Sequence, residues 1–481
     1  MKLSRLLAIL SEPSVEEREI SGITANLDEV QSGFLFVAIP GTRTDGHTFL
    51  NSAKARGAFF LIGERPAQEF GLNEKDYLQV PDSRLALGLL ASAWEGHPSR
   101  EMRVIGITGT SGKTTTSFLV ESVLRAAGMK PGLIGTVAFR IDGKEIPSTH
   151  TTPGPVELQH LLREMRNAGC DSVVLEVSSH ALKQHRGVGI AYDAVGFTNL
   201  SPEHLDYHFD LEDYFASKRI LFREQADRSR NWGKEPKLLV HSGNSAGDRL
   251  LAELSHASPF SVEASVKIDA EGVRGIFSGV QIHSSLIGRF NAENIAAAVA
   301  LTKSIGIPDA AITNGIQALD RVPGRLERVS DPAHGRIVLV DYAHKPDALE
   351  KVLSVLRPMR APGNRLFTVI GCGGDRDRTK RTVMGEIACR LSDRVIFTSD
   401  NPRTENPEHI LDEILSGCAA STNWVRESDR RKAIALALKE AKTGDLVLIA
   451  GKGHENYQIV GTTKTPFDDA AEARSAMAAM Y

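Results

Sequence analysis

"GITGTSGKTTT", Gly106 to Thr116, overlaps the apolar run "RVIGIT" (103–108) and leads into a segment, Thr114 to Ala127, with apolar residues Phe118, Leu119, Val123 and Ala126 at helical spacing. The helix should stop at Gly128, since glycine readily takes the left-handed conformation that ends helices. A strand, a glycine-rich turn and a helix N-terminus together make an anion site. Glycines let backbone N–H groups point at phosphate, the helix end adds partial positive charge, and Lys113 adds a full one. Gly109, Thr110, Ser111, Gly112, Lys113, Thr114 and Thr115 are therefore the candidate phosphate cradle, with the Thr114 hydroxyl placed to ligate Mg2+. The glycine count departs from the commonest phosphate loop, which wants a glycine where Ile107 stands. The plainer alternative is a glycine turn carrying a solvated lysine.

The same alternation of apolar run and helical pattern continues outward from this loop. Further strand candidates are "SVVLEV" (172–177), "YDAVGFT" (192–198), "RIVLVD" (336–341), "RLFTVI" (365–370), "DRVIFTS" (393–399) and "DLVLIA" (445–450). Runs apolar on both faces predict parallel strands covered by helices on either side, hence an α/β protein. A polar cluster follows nearly every run: "SSHALKQHR", "NLSPEHLDYH", "YAHKPD", "GCGGDRDR", "DNPRTENP" and "GKGHE". Open parallel sheets bind ligands beyond the carboxyl ends of their strands, so these clusters mark the binding edges of two sheets.

Bulk properties bound the partners. At 481 residues the chain holds several domains, and "EGHPSREM" (95–102) and "VPGRLERVSDPAHGR" (322–336) read as linkers. They divide it into 1–100, 101–325 and 326–481. With 57 basic and 60 acidic residues, no charge footprint points to nucleic acid or anionic membrane. Cys170, Cys372, Cys389 and Cys418 are far apart in sequence with no C-x-x-C spacing, so free thiols in a reducing cytosol are expected. "MKLSRLLAIL" is too short in its apolar part for a leader and is expected to be a short amphipathic helix. No stretch is apolar for long enough to span a bilayer. A cytoplasmic monomer acting on small molecules is the expectation.

"TGTSGKTTT" resembles the phosphate loop of the Mur ligase superfamily, which includes the folylpolyglutamate synthetases. "EVSSHALKQHR" (176–186), "FTNLSPEHLDYH" (197–208), "YFASKRILF" (214–222), "GRFNAENIAAA" (288–298), "VPGRLE" (322–327) and "DYAHKPDAL" (341–349) resemble further signatures of that family, in its order and spacing. The resemblance covers essentially the whole chain. It implies three domains, with a UDP-sugar-binding N-terminal domain, a central phosphate-loop ATPase with a parallel sheet, and a C-terminal Rossmann-like domain that receives an amino acid.

Such enzymes join an amine to a carboxylate. The carboxylate is first phosphorylated by ATP, because its oxygen cannot otherwise depart. Phosphoryl transfer depends on positioning and charge neutralisation, hence lysine and magnesium. The resemblance implies that Lys113 neutralises the phosphates and that Thr114, Glu176 and His204 hold Mg2+. It implies that Lys218 in "FASKRILF" carries a carbamate, formed on a desolvated amine by CO2, and that this anion also ligates metal. Asn294, Arg325, Asp341 and His344 match positions that hold adenine, phosphate and ribose, a helix cap being the plainer alternative for Asn294.

The sugar nucleotide, UDP-MurNAc-L-Ala-D-Glu, is expected at Thr42, Arg43 and Thr44 and at Thr151, Thr152, Ser178, Gln184 and Arg186. Two departures from the family stand here. Asn26, Leu27 and Asp28 replace its usual Asp-Ser-Arg, so Leu27 offers no hydroxyl, and His150 stands where asparagine is common. "DNPRTENP" (400–407) resembles the loop version that selects meso-diaminopimelate. A guanidinium can bind that substrate's distal carboxylate bidentately and repels the ammonium of lysine. Asp400, Asn401, Pro402 and Arg403, with Arg376, Gly451 and Glu455, form the expected amino-acid pocket. A lysine-adding relative, a folate-type ligase and a regulator that has lost catalysis are the alternatives. The last is disfavoured by the presence of Lys113, Glu176, His204 and Lys218 together.

Overall fold

The computed structural model describes residues 1–12, 17–41, 44–329, 331, 333–419 and 421–480. The chain forms two compact units, one of Met1–Ala264, Ile276–Gln281 and Glu293–Ala318, the other of Ser265–Gly275, Ile282–Ala292 and Leu319–Tyr481.

In the first unit the strand Arg103–Thr108 lies at the centre of an eight-stranded sheet, flanked in parallel by Ser172–Glu176 on one side and Ala194–Phe197 on the other. Ile107 stands opposite Glu176 and Thr108 opposite Phe197. The three strands therefore end level, and the polar clusters at 109–113, 177–186 and 198–208 leave the same edge side by side. Five of the six residues of Arg103–Thr108 are buried, as a strand covered on both faces requires. The helix Lys113–Ala126 follows the loop at once, and Gly128 at φ +80° closes its C-terminus as expected. It lies close to the helix Asp309–Ala318, where a Cβ on Gly315 would run into the Val123 backbone. Beyond Pro131–Ile134 the sheet turns antiparallel through Ala138–Ile141 and Lys144–Pro147. The wholly exposed last strand carries no apolar alternation from which it could have been foreseen. Residues 1–95 add a four-stranded parallel sheet in sequential order. Its first helix, Leu3–Leu7, buries Leu3, Leu6 and Leu7, as the amphipathic reading of the N-terminus anticipated.

The second unit contains a six-stranded sheet in the order Glu327–Val329, Ile337–Asp341, Leu446–Ala450, Leu366–Ile370, Arg394–Phe397, Trp424–Arg426, parallel except for the first strand. Alternate residues feed separate apolar layers, Leu339, Leu366 and Leu448 on one face and Val338, Phe367 and Ile449 on the other. Helices Thr379–Leu391 and Pro407–Leu415 cover the first face and Arg430–Glu440 the second. One expectation is corrected here. The stretch 322–336 includes the edge strand Glu327–Val329, which its flanking prolines and glycines had disguised as linker. No helix among the described residues is long and apolar enough to cross a membrane.

Candidate active site

The phosphate loop is shaped by the exit of the neighbouring strand. The Asn199 carbonyl accepts the Thr110 N–H at 2.9 Å, its side-chain oxygen accepts the Ser111 N–H at 2.9 Å, and the Thr198 hydroxyl donates to the Ser111 carbonyl at 2.7 Å. Gly109 and Gly112 have φ of +150° and +86°, and Cβ atoms there would collide with Thr198 Oγ1 and Asn294 Oδ1. Only glycine fits both the conformation and the space. Lys113 Nζ donates to the Gly109 and Thr110 carbonyls at 2.8 and 3.0 Å. Asn294 lies within the helix Arg289–Ser304, not at its cap, and its Oδ1 is 3.5 Å from Thr116 Oγ1.

Glu176 ends its strand fully buried. Its carboxylate accepts the Thr114 hydroxyl at 3.0 Å and both the N–H and the hydroxyl of Thr136, at 3.1 and 3.0 Å. Thr136 was not foreseen, because it leaves a strand whose place beside Glu176 is set by sheet order. A buried carboxylate joined to a hydroxyl at the foot of a phosphate loop is a hard-oxygen donor set, and it fits Mg2+. Among the described residues no group of three or more His, Cys, Asp or Glu is arranged to hold a metal.

Lys218, on the helix Leu211–Arg219, is 1% exposed. Its Nζ donates to the Gly109 carbonyl at 2.9 Å and lies 4.5 Å from the centre of the Tyr214 ring. Burial first, and then the nearby Lys113, pull its pKa well below the ordinary lysine value. Tyr214 also ties to the loop, its hydroxyl 3.2 Å from Thr110 Oγ1. His204 takes a left-handed backbone (φ +57°), and its ring meets His180 edge-on at 4.8 Å. His180, inside a quoted motif but not singled out, stacks on Tyr207, and burial lowers its pKa to about 4.

Thr152 Oγ1 donates to the Glu176 carbonyl at 2.8 Å and accepts the Ser178 N–H at 3.0 Å. Arg186 forks onto Gln184 Oε1 at 3.0 and 2.7 Å and donates to the Thr152 carbonyl at 2.7 Å. Thr151 Oγ1 is 3.0 Å from that of Thr136. A cavity of about 280 Å³ opens between Ile39, Arg84, His150, Pro155, Gln184 and Arg186. Burial and the charge of Arg84 lower the Arg186 pKa, so two guanidinium groups share a space suited to an anion. Arg84 was not anticipated, since nothing in the sequence brings residue 84 to residue 186. The Thr44 carbonyl accepts the Gly41 N–H at 3.1 Å. Thr42 and Arg43 lie outside the described residues. Leu27 opens a single turn capped by Asn26, and the Thr24 hydroxyl donates to Glu29 close by, at 2.7 Å.

In the second unit Asp341 ends its strand buried. Its carboxylate accepts the Leu326 and Ala343 N–H groups at 2.8 and 2.9 Å. Burial raises its pKa to about 6, against the opposing pull of Arg325 and these two bonds. Arg325 lies over the Tyr342 ring at 5.2 Å. His344 pairs through Nδ1 with the Tyr342 carbonyl at 2.8 Å, and burial lowers its pKa to about 4. Asn401 is held from three sides: its Oδ1 accepts Lys452 Nζ and the Ile459 N–H, both at 3.0 Å, and its Nδ2 donates to Glu455 at 2.9 Å. Lys452 also lies 3.2 Å from Asp400 and 3.6 Å from Glu455. Gly451, at φ +114°, leaves space before Asp400. Arg403 has φ +51° and donates through Nη1 to the Gly374 carbonyl at 2.8 Å. Among the described residues no carboxylate is ion-paired with it. Pro402 accepts the Glu405 N–H at 3.1 Å, and Arg376 is exposed. The cysteines are all free and buried, but two distant in sequence meet: Cys389 and Cys418 Sγ are 3.0 Å apart.

Three family models match successive stretches: the Mur ligase family catalytic domain at 19–95, the Mur ligase middle domain at 107–302, and the Mur ligase glutamate ligase domain at 324–453. A UDP-N-acetylmuramoyl-L-alanyl-D-glutamate–2,6-diaminopimelate ligase of Gloeobacter violaceus is 44% identical, over 99% of this chain and 98% of its own. A solved structure of a ligase of that name is 31% identical with a TM-score of 0.71, covering 100% of this chain and 99% of the other. A Mycobacterium tuberculosis folylpolyglutamate synthase, solved with ADP and AMPPCP, shares the fold at 18% identity and a TM-score of 0.59, over 80% of this chain and 93% of its own.

Proposed function

The chain belongs to the Mur ligase family, and from that premise we propose that it is an ATP-dependent ligase of peptidoglycan precursor synthesis. It adds meso-2,6-diaminopimelate to the D-glutamate of UDP-MurNAc-L-Ala-D-Glu in the cytoplasm. Likeness unbroken over the whole length of ligases so named carries this reading. Residues 1–100 receive the sugar nucleotide, 101–325 bind ATP, and 326–481 take the amino acid.

The loop Gly109–Thr115 cradles the ATP phosphates, and Lys113, now turned onto loop carbonyls, neutralises them. Thr114, Glu176 and His204 would hold Mg2+, which supplies charge neutralisation at the transferring phosphoryl group. Lys218 adds a further anion once its amine nitrogen bonds to CO2 and releases a proton. Its burial favours the neutral amine that this step needs. Arg186 and Arg84 bind acidic groups of the sugar nucleotide. Its D-glutamate carboxylate attacks the γ-phosphorus, ADP leaves, and the acyl phosphate forms. The diaminopimelate amine then attacks the acyl carbon and phosphate departs. Asn294, Arg325, Asp341 and His344 hold the nucleotide. Arg403 and Arg376 hold the distal carboxylate, while Glu455, steadied by Asn401, takes its ammonium.

Phosphate release from ATP with the muramoyl dipeptide tests the whole reading. Turnover is expected with meso-diaminopimelate and not with L-lysine. Arg403→Ala should lower kcat/KM for diaminopimelate about 10- to 100-fold, the worth of a charge-assisted pair. Equal turnover with lysine would refute the selectivity. Turnover with neither would refute the substrate assignment.

A further inference from the structure

We infer that Arg381 is the positioning residue that locks together the two loops of the amino-acid pocket, 373–376 and 400–405, and so sets selectivity without reaching the amino acid itself. The inference rests on the amino-acid assignment proposed above.

Arg381 is the third residue of the helix Thr379–Leu391 and is 0% exposed. Its guanidinium forks onto Glu405, Nη1 to Oε2 at 2.9 Å and Nη2 to Oε1 at 2.8 Å. The same group donates to the Gly373 carbonyl at 3.1 Å and to Glu413 at 2.7 Å. One buried side chain thus grips both loops and braces them against the helix Pro407–Leu415. Glu405 passes the connection on, accepting the Asp375 N–H at 2.6 Å. Asp375 closes the circuit by accepting the Thr404 N–H and hydroxyl at 3.1 and 2.8 Å. The next link is the recognition arginine, since Gly374, whose N–H binds the Asn401 carbonyl at 2.9 Å, offers its own carbonyl to Arg403.

This circuit restrains strained backbone. Asp375 and Arg403 have φ of +52° and +51°, conformations that residues with side chains adopt only where their surroundings over-determine them. A Cβ on Gly374 would collide with the Pro402 carbonyl, so the loops touch without slack. The helix does not depend on this guanidinium for its anchorage, because Met384, Ile387 and Ala388 hold it in the apolar layer. The fork from Arg381 keeps the Glu405 carboxyl far below its usual range, to about 2, so the lock stays charged throughout any assay range. Arg403, bound through one nitrogen to a loop carbonyl, can present its remaining donors in a fixed direction only while that carbonyl is fixed.

The test compares wild type, Glu405→Gln, Arg381→Lys and Arg381→Met, as full chains, by phosphate release. Glu405→Gln leaves Arg381 its bonds to Glu413 and Gly373, so it keeps the fold while breaking the fork. The KM for meso-diaminopimelate should rise about tenfold or more, with kcat at saturation within about threefold of wild type. The KM values for ATP and sugar nucleotide should stay unchanged, and the preference over L-lysine should shrink. Arg381→Lys keeps charge without the fork and should fall between wild type and Arg381→Met. Lower kcat with every KM unchanged would mean a smaller folded fraction and would overturn the inference. Hydrogen exchange without substrate separates this from the amino-acid assignment. The Asp375 and Thr404 amides should exchange at least about tenfold faster in Glu405→Gln. Unchanged exchange overturns the lock even if wild type turns over no diaminopimelate, an outcome that by itself refutes only the assignment.

Discussion

Asp341 should make the second unit lose stability as pH rises, against the usual behaviour of a carboxylate. Its side chain is buried and accepts two backbone N–H groups, yet desolvation dominates and lifts its pKa from 3.8 to about 6. The folded state therefore holds this proton more tightly than the unfolded chain does. The resulting stabilisation is fully present below 3.8 and is lost as pH climbs through about 6. A shift of about two units corresponds to about 3 kcal/mol. Asp341→Asn is the probe, a neutral side chain of the same shape that cannot ionise. Its amide nitrogen faces one of the two N–H donors at a cost of about 1–3 kcal/mol, but that cost is the same at every pH. The stability difference between variant and wild type should hence move by about 2.5 kcal/mol in the variant's favour between pH 4 and pH 7.5. Urea unfolding can be followed by fluorescence with Trp424 as the sole tryptophan, Trp94 and Trp232 being replaced by Phe, so that the signal reports this unit. A difference that does not vary with pH would refute the reasoning. A difference moving the other way would place the folded pKa below 3.8, with hydrogen bonding outweighing burial.

Two further outcomes follow from the phosphate-loop edge. Glu176→Gln should raise the Mg2+ concentration needed for half-maximal phosphate release by at least about tenfold, as a metal titration would show, because a buried anionic donor is lost. In 13C-labelled bicarbonate the wild-type protein should show a carbamate carbon resonance that Lys218→Arg lacks, and that variant should lose at least about 100-fold in kcat. A wild-type spectrum without the resonance would remove Lys218 from the metal site.

Much of the fold was legible because its signals are local. The apolar runs of the parallel strands report burial on both faces, and the strands observed at Arg103–Thr108, Ser172–Glu176 and Leu446–Ala450 lie inside or on those runs. Antiparallel additions such as Lys144–Pro147 were not legible, because an exposed edge strand carries no apolar alternation. Within the candidate site, the glycine turn at Gly109 and Gly112 and the helix that starts at Lys113 could be read from spacing alone. Thr136, Arg84 and Arg381 could not, since each acts on a residue at least 24 positions away, to which only a sheet edge or a helix face brings it. The cysteines show the same limit, far apart along the chain and in contact in the fold.

The sequence by itself determined the glycine turn of the candidate phosphate loop and the placing of polar clusters at strand ends, because turn conformation and burial pattern are set by neighbouring residues. Tertiary structure alone decided which clusters meet. Strand order puts Glu176 beside Thr114, helix packing drives the Lys218 amine onto the Gly109 carbonyl, and a buried guanidinium ties one loop to another. Charge, pKa and direction of approach depend on distances between residues remote in the chain, and those distances exist only once the sheets have formed.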